Sequence, residues 1–245
     1  MTKFYFLLFI WLIRIVSGQN STERILFSVS KYNKTTEKNG GGKAVWEEME
    51  VKADNLTEYQ LITLADSTHV IKATSNNAAS GLIHTADIDT EQYPVIKWRW
   101  KIEQVLEKGN LEKKRGDDYA ARIYVTFDYD RSKLSLGEKI KLWAIETFTS
   151  YEIPLRAINY IWANKAPAGT VAPNPFTDWV QMIAVQSGNE KAGEWISERR
   201  NIYKDYKKAF GEEPGNITGV AIMTDSDNTG GSATGYYGDI VFEKQ

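Results

Sequence analysis

The chain has 245 residues, with 30 lysines and arginines against 32 aspartates and glutamates, which gives a formal net charge of −2. A protein that binds nucleic acid by bulk charge needs a surplus of basic residues, so this balance excludes that class. Hydrophobic residues make up 42% of the chain and charged residues 25%, which excludes a wholly disordered protein. There is no cysteine, so disulfides and thiolate metal sites or nucleophiles are excluded as well.

Residues 1–18 have the pattern of a secretory signal peptide. Lys3 precedes an apolar run at residues 4–13, and small residues end the segment just before Gln19. A membrane anchor is the alternative, but the run is shorter than the roughly 20 residues that a spanning helix needs. We therefore expect a periplasmic or secreted protein without stable membrane insertion, in which residues 19–245 form one domain.

Alternation of apolar and polar residues dominates the rest of the chain and predicts β-strands. The predicted strands are residues 24–30, 46–53, 58–65, 70–74, 95–102, 119–127, 157–163, 179–187, 219–225 and 236–242. The strand at 95–102 has the clearest pattern, with Trp98 and Trp100 on its inward face.

Helical signals are few. One helix is predicted from Ser197, as its cap, to Phe210, with Gly211 ending it, and a weaker one near residues 137–148. Residues 166–175 contain three prolines and are predicted to form a loop. Many short strands with one or two peripheral helices predict a mainly β protein, a single β-sandwich of jelly-roll type.

Templates for catalysis are mostly missing. His69 and His84 lack the spaced partners of a zinc site, and the chain has no glycine-rich phosphate loop and no Gly-x-Ser-x-Gly motif. No catalytic residue and no metal ligand are therefore predicted, and no cofactor is expected, except that calcium is left open by the loop described below.

A first candidate cluster for ligand binding contains Asp117, Asp118, Arg122 and Tyr124. In a strand, Asp118 and Arg122 share one face about 13 Å apart, so they are not expected to touch. A carboxylate, a guanidinium and an aromatic ring on a concave sheet face can bind sugar hydroxyls or an acidic ligand. The structural alternative is that Asp117 caps a turn and Arg122 pairs with an acid on a neighbouring strand.

A second candidate cluster contains Asp225, Asp227 and Asn228, followed by two glycines. Their oxygens suit a hard cation such as calcium, but the distant glutamate of an EF-hand loop is missing. A hydrogen-bonded turn is the favoured interpretation, because aspartate and asparagine often satisfy backbone amides in this way.

A third candidate cluster lies near the C-terminus, where Tyr237 and Asp239 face the same way in a predicted closing strand. Aromatic rings can pack against sugar rings, although most tryptophans of a sandwich belong to its core. Trp162 is the best candidate for such a platform, because Asn159 and Asn164 are close to it in sequence.

Several motifs occur in a fixed order between residues 25 and 243. They include Trp98-Arg99-Trp100-Lys101, Gly116-Asp117-Asp118-Tyr119, Asn159-Tyr160-x-Trp162 and Met223-Thr224-Asp225-Ser226-Asp227-Asn228-Thr229. Together they resemble the bacterial family called domain of unknown function 3047. The resemblance implies a galactose-binding-like β-sandwich, similar to carbohydrate-binding modules and usually exported in Gram-negative bacteria. It implies no activity.

Three functions fit these patterns, and non-catalytic binding of a saccharide or another polar ligand is favoured. The second is a structural envelope domain with an internal network of Asp, Arg and Tyr side chains. The third is a polysaccharide-cleaving enzyme. A hydrolase needs two facing carboxyl groups at about 5 Å or about 6.5–9.5 Å, and a lyase would use Tyr124 as base with Arg122 on a uronate. The three differ in whether the candidate residues meet in one open pocket. The sequence does not indicate the oligomeric state.

Overall fold

The computed structural model describes residues 24–32, 46–51, 53–148 and 154–245. The signal peptide predicted at residues 1–18 lies outside them. Within the described residues, no helix combines the length and the hydropathy that crossing a bilayer requires.

The described residues form fourteen strands and two α-helices. The strands are β1 Arg24–Phe27, β2 Glu47–Glu50, β3 Glu58–Thr63, β4 His69–Asn76, β5 Ala79–Ile88, β6 Val95–Ile102, β7 Arg122–Phe127, β8 Arg156–Ala163, β9 Val171–Asn174, β10 Thr177–Ser187, β11 Ile196–Asn201, β12 Ile217–Asp225, β13 Ser232–Tyr237 and β14 Ile240–Glu243. The helices are α1 Leu136–Phe148 and α2 Ile202–Phe210.

Two seven-stranded sheets account for the architecture. The first sheet has the order β1-β14-β6-β13-β4-β3, with β11 paired to β6, and the second has the order β2-β5-β12-β7-β8-β10-β9. Tryptophans of β6 pack against β8 of the second sheet: the ring centres of Trp100 and Trp162 lie 5.9 Å apart, and those of Trp98 and Tyr160 lie 5.0 Å apart. The predicted mainly β sandwich is therefore confirmed, with the tryptophans of β6 in its core.

The C-terminal strand prediction was wrong, because residues 236–242 are divided between β13 and β14. Gly238, at the turn, donates its N–H to the carbonyl oxygen of Arg99 at 2.9 Å. A Cβ at this glycine would lie 2.6 Å from Cγ of Arg99, so the turn between β13 and β14 requires glycine where it passes next to β6.

The start of the second helix was also predicted wrongly. Residues 196–201 form β11, which pairs antiparallel with β6, and the helix begins five residues after the predicted cap at Ser197. Asn201 is the actual N-cap, since its side chain accepts the N–H of Lys204 at 2.9 Å. Gly211 ends the helix as predicted, in the left-handed conformation at φ 73°. The weaker helix predicted near residues 137–148 is confirmed as α1.

Candidate binding groove

A groove of about 970 Å³ runs along the outer face of the second sheet. Its floor consists of side chains that alternate away from the core, such as Arg122 and Tyr124 on β7 and Ala221 and Met223 on β12. The volume lies at the upper end of the range of about 300–1,000 Å³ that is typical of ligand pockets. We call this feature the groove.

Six of the ten residues predicted to bind a ligand line the groove. The six are Asp117, Arg122, Tyr124, Asp225, Asp227 and Asn228. They come from two chain segments that are about a hundred residues apart, and the antiparallel pairing of β7 with β12 brings these segments together. The other four predicted residues lie elsewhere.

Arg122 lines the groove although only 4% of its surface is exposed. Nη2 of Arg122 is hydrogen-bonded and ion-paired to Oδ2 of Asp225, and Nη1 lies 3.5 Å from Oδ1 of Asp117. The pairing with an acid on a neighbouring strand, given above as the structural alternative for Arg122, is therefore present. Nε and Nη1 of Arg122 have no hydrogen-bond partner among the described residues.

Burial and charge oppose each other at this ion pair. Burial raises the pKa of Asp225, and the Arg122 guanidinium works in the opposite direction. Burial alone would lower the pKa of Arg122, but Asp225, Tyr124 and Asp117 raise it overall. Arg122 therefore remains a cation whose charge is already engaged by acids of the protein.

Asp118 lies behind the groove and not in it. The strand begins only at Arg122, so the strand alternation expected for residue 118 does not apply. The buried carboxylate accepts hydrogen bonds from the backbone N–H and side chain of Asn228 at 3.2 and 3.1 Å, and from the N–H of Thr229 at 2.6 Å. It fastens the loop after β12 to the segment before β7, which is a structural role.

Trp162 and Tyr237 belong to the core, which contradicts their prediction as ligand-binding residues. Trp162 is 0% exposed, and its Nε1–H donates to the carbonyl oxygen of Gly188 at 2.9 Å. The platform prediction fails because this position of β8 faces the first sheet. The hydroxyl of Tyr237, also buried, donates to the carbonyl oxygen of Met223 at 2.6 Å and accepts the N–H of Arg122 at 3.3 Å.

Asp239 lies on the first sheet, in the turn between β13 and β14, and not with the other predicted residues. Its Oδ1 accepts the N–H of Val29 at 2.8 Å and the hydroxyl of Ser28 at 3.2 Å. It lines a different pocket on the opposite side of the sandwich.

The calcium alternative concerns three carboxylates. Asp118, Asp225 and Asp227 each offer an oxygen, and these oxygens lie within 4.8 Å of one another. Backbone N–H groups already donate to the first two, and Arg122 places a positive charge next to Asp225. Both features compete with a cation, because they satisfy the same lone pairs and repel its charge. Calcium stays a prediction.

Sequence reasoning missed several residues that line the groove. Phe176, in the turn between β9 and β10, is 50% exposed at its edge, and Tyr129 follows β7. Six carboxylates against two guanidinium groups give the lining an acidic excess: Glu47, Glu48, Asp117, Asp128, Asp225 and Asp227 against Arg122 and Arg131. The groove therefore favours neutral or cationic ligands over anionic ones.

Comparisons with known proteins give a family and distant structural neighbours. A family model described as "Protein of unknown function (DUF3047)" matches residues 44–241. No curated protein sequence matches the chain.

Two solved structures to which this chain is similar are carbohydrate-binding modules of family 11 from Clostridium thermocellum. The module of the cellulosomal cellulase Lic26A-Cel5E has a TM-score of 0.43 at 7% identity, with 92% of this chain and 96% of that chain covered. The second, in complex with a beta-1,3-1,4-mixed-linked tetrasaccharide, has a TM-score of 0.38 at 7% identity, with 85% and 94% covered. Similarity at this level carries no argument about the ligand of this chain.

Proposed function

Because this chain belongs to the family of proteins of unknown function DUF3047, its function has to be inferred from its own groove, and we propose that the groove binds a neutral saccharide without converting it. The observation that carries the proposal is the groove of about 970 Å³, in which carboxylates and aromatic rings lie side by side. From the N-terminal sequence pattern we also propose that binding takes place after export, in the periplasm or outside the cell.

The chemistry of the lining suits a sugar. Carboxylates such as those of Asp117 and Asp227 accept hydrogen bonds from hydroxyl groups, which every saccharide offers in number. The exposed ring of Phe176 offers an apolar face against which the C–H face of a sugar ring can pack. The acidic excess disfavours uronates, so a neutral or amino sugar is the preferred class.

The same contacts support binding over cleavage. A lyase would need Arg122 to neutralise a substrate carboxylate, but its guanidinium is paired with Asp225 and lies 3.5 Å from Asp117. Asp225 in turn accepts the N–H of Tyr119 at 3.2 Å as well as the arginine. These carboxylates are therefore placed as fixed hydrogen-bond acceptors within an internal network.

The test is a binding screen of the full mature chain against neutral and acidic oligosaccharides, followed by calorimetry on the best ligand. Phe176→Ala should weaken binding about fivefold or more, because an aromatic contact contributes about 1 kcal/mol. Asp227→Asn should weaken it as well. Trp143→Ala is the matched control, because Trp143 is a 69% exposed aromatic residue outside the groove lining.

Two outcomes contradict the proposal. If no neutral or amino sugar binds, or if both groove variants bind as the parent does, the groove is not a saccharide site. If new reducing ends or unsaturated sugars appear on incubation with the bound oligosaccharide, the protein is an enzyme and the non-catalytic part of the proposal fails.

A further inference from the structure

A second recess, of about 680 Å³, lies on the outer face of the first sheet. We propose that this recess binds an anionic saccharide through its sulfate, phosphate or carboxylate group, independently of the groove. We call it the recess. Its lining combines basic side chains, chiefly Lys97, Arg99 and Arg199, with five hydroxyl side chains: Ser28, Ser30, Ser67, Thr68 and Ser197.

Strand pairing explains how the basic side chains come together. Alternation along β6 turns its tryptophans inward and Lys97 and Arg99 outward. In the antiparallel register with β11, Arg199 lies opposite Lys97, and Ser197 lies opposite Arg99. Side chains directly opposite each other on one face are about 5 Å apart at Cβ, so the three cations form one group.

Arg99 is held in position from two sides. One of its terminal nitrogens, Nη2, donates to the hydroxyl of Thr68 at 2.7 Å, and its Cζ lies 4.9 Å from the ring centre of Trp195. A guanidinium has five N–H donors, so most of them remain for a ligand. A planar fork that is fixed in this way loses little side-chain entropy when it binds an oxyanion with two parallel hydrogen bonds.

The acidic side chains around the recess offset only part of this charge. Lys97 pairs with Glu243 at 2.6 Å, but the side chain of Arg199 is exposed and forms no hydrogen bond or ion pair with any described residue. Asp239 keeps its negative charge while it accepts the N–H of Val29, and Asp66, whose pKa is lowered by hydrogen bonds from Thr68 and by the charge of Arg99, lies near that arginine. Glu198 turns to the other side of β11, where Gln186 donates to it at 2.7 Å. Arg99 and Arg199 are therefore left as the cations that can meet a ligand.

The recess suits an anionic group that is attached to a saccharide better than one attached to another kind of molecule. The five hydroxyl side chains can exchange hydrogen bonds with sugar hydroxyls next to the charged group. A long polyanion such as nucleic acid is disfavoured, because the chain carries a net charge of −2 and an acidic groove. A recess of this volume suits a short, charged oligosaccharide segment.

The experiment measures binding of a short sulfated dextran and of neutral dextran by calorimetry. Arg99→Met with Arg199→Met removes both charges and keeps the aliphatic stems. The affinity for the sulfated dextran should fall at least about tenfold, because each hydrogen bond to a charged group accounts for about that factor. Arg199→Met alone is the second variant, since an exposed residue on a strand can be replaced without loss of folding. Arg115→Met, an exposed arginine outside both pockets, should change nothing.

Further arms separate the recess from the groove and from other anions. Phe176→Ala should leave binding of the sulfated dextran unchanged. The proposal is overturned if the double variant binds as the parent does. It is also overturned if vesicles of phosphatidylglycerol bind and sulfated dextran does not, or if inorganic sulfate alone binds as tightly as the sulfated dextran.

Discussion

The two outer faces of the sandwich carry opposite charge and reach it by different means. The groove on the second sheet is acidic, and two of its lining residues, Arg122 and Asp225, are buried in an ion pair. The recess on the first sheet is basic, and Arg199 on its rim is exposed. A net charge of −2 therefore conceals two surfaces that select for different ligands. Substitutions of the buried ion pair in the groove should cost stability as well as binding, whereas those of the exposed cation in the recess should cost binding alone.

The largest effect is expected from breaking the buried pair. Asp225→Ala removes the closer of the two carboxylates of the buried Arg122 and leaves only Asp117, at 3.5 Å, which should lower the free energy of unfolding by about 3 kcal/mol. Unfolding in urea, followed by tryptophan fluorescence, measures this loss. Asp227→Ala is the control in the same loop, because Asp227 is only half-buried and lacks an ion pair with any described residue. If the two variants are equally stable, the ion pair does not support the groove.

A smaller loss of stability is expected from Tyr237→Phe, which removes one buried hydroxyl between the sheets. The carbonyl of Met223 and the N–H of Arg122 lose their contacts with it, at a cost of about 1–3 kcal/mol. The neighbouring Tyr236→Phe is the matched control, since its hydroxyl donates to exposed Glu103 at 2.8 Å. It should change the free energy of unfolding by no more than about 0.5 kcal/mol. If both variants lose the same free energy of unfolding, the buried hydroxyl of Tyr237 does not stabilise the fold more than the exposed hydroxyl of Tyr236.

Salt should affect ligand binding at the recess and at the groove differently. Raising the ionic strength from about 0.1 M to about 1 M shortens the Debye length from about 10 Å to about 3 Å. The affinity of the recess for sulfated dextran should then fall about tenfold, while that of the groove for a neutral saccharide stays within about twofold. Calorimetry at both salt concentrations measures the two responses. A parallel fall of both affinities would mean that the faces do not differ in the way the charges indicate.

How much of the fold the sequence predicts depends on the local pattern of each strand. The bounds of β6 are predicted correctly at residues 95–102, because tryptophans alternate with basic residues there. Strand β5 is missed, and one reason is Gly81. A Cβ at Gly81 would lie 3.2 Å from the backbone oxygen of Ile222 on β12, a close contact, so the neighbouring strand favours the glycine that weakens the strand signal. The helix predicted at Ser197 fails because pairing with β6 overrides local helical preference.

The candidate site likewise has a part that the local sequence predicts and a part that depends on strand pairing. The acids that line the groove are predicted because aspartates cluster in two loops, and a sheet can bring such loops together. The side of the sheet that a residue faces cannot be predicted in this way: Trp162 is 0% exposed because of the register of β8, which depends on partner strands. Phe176 is missed because it lies in a turn without alternation, and the recess because its cations come from strands whose pairing was not predicted.

The smallest effect is expected at Glu198, a partly buried carboxyl on the first sheet that has no ion pair within the described residues, unlike Asp225. Burial raises the pKa of Glu198 above its usual 4.5. Between pH 4.5 and the raised pKa, the folded protein binds more protons than the unfolded chain. The free energy of unfolding therefore falls as the pH rises from about 4.5 through the raised pKa. Glu198→Gln keeps an acceptor for Gln186 and should not show this fall. Its free energy of unfolding relative to the parent should therefore rise between about pH 4.5 and about pH 7.

Glu213→Gln is the control with opposite sign, because Lys207 and Tyr203 lower the pKa of exposed Glu213. If Glu198→Gln follows the parent across this range in urea unfolding, the carboxyl of Glu198 is not destabilised by burial.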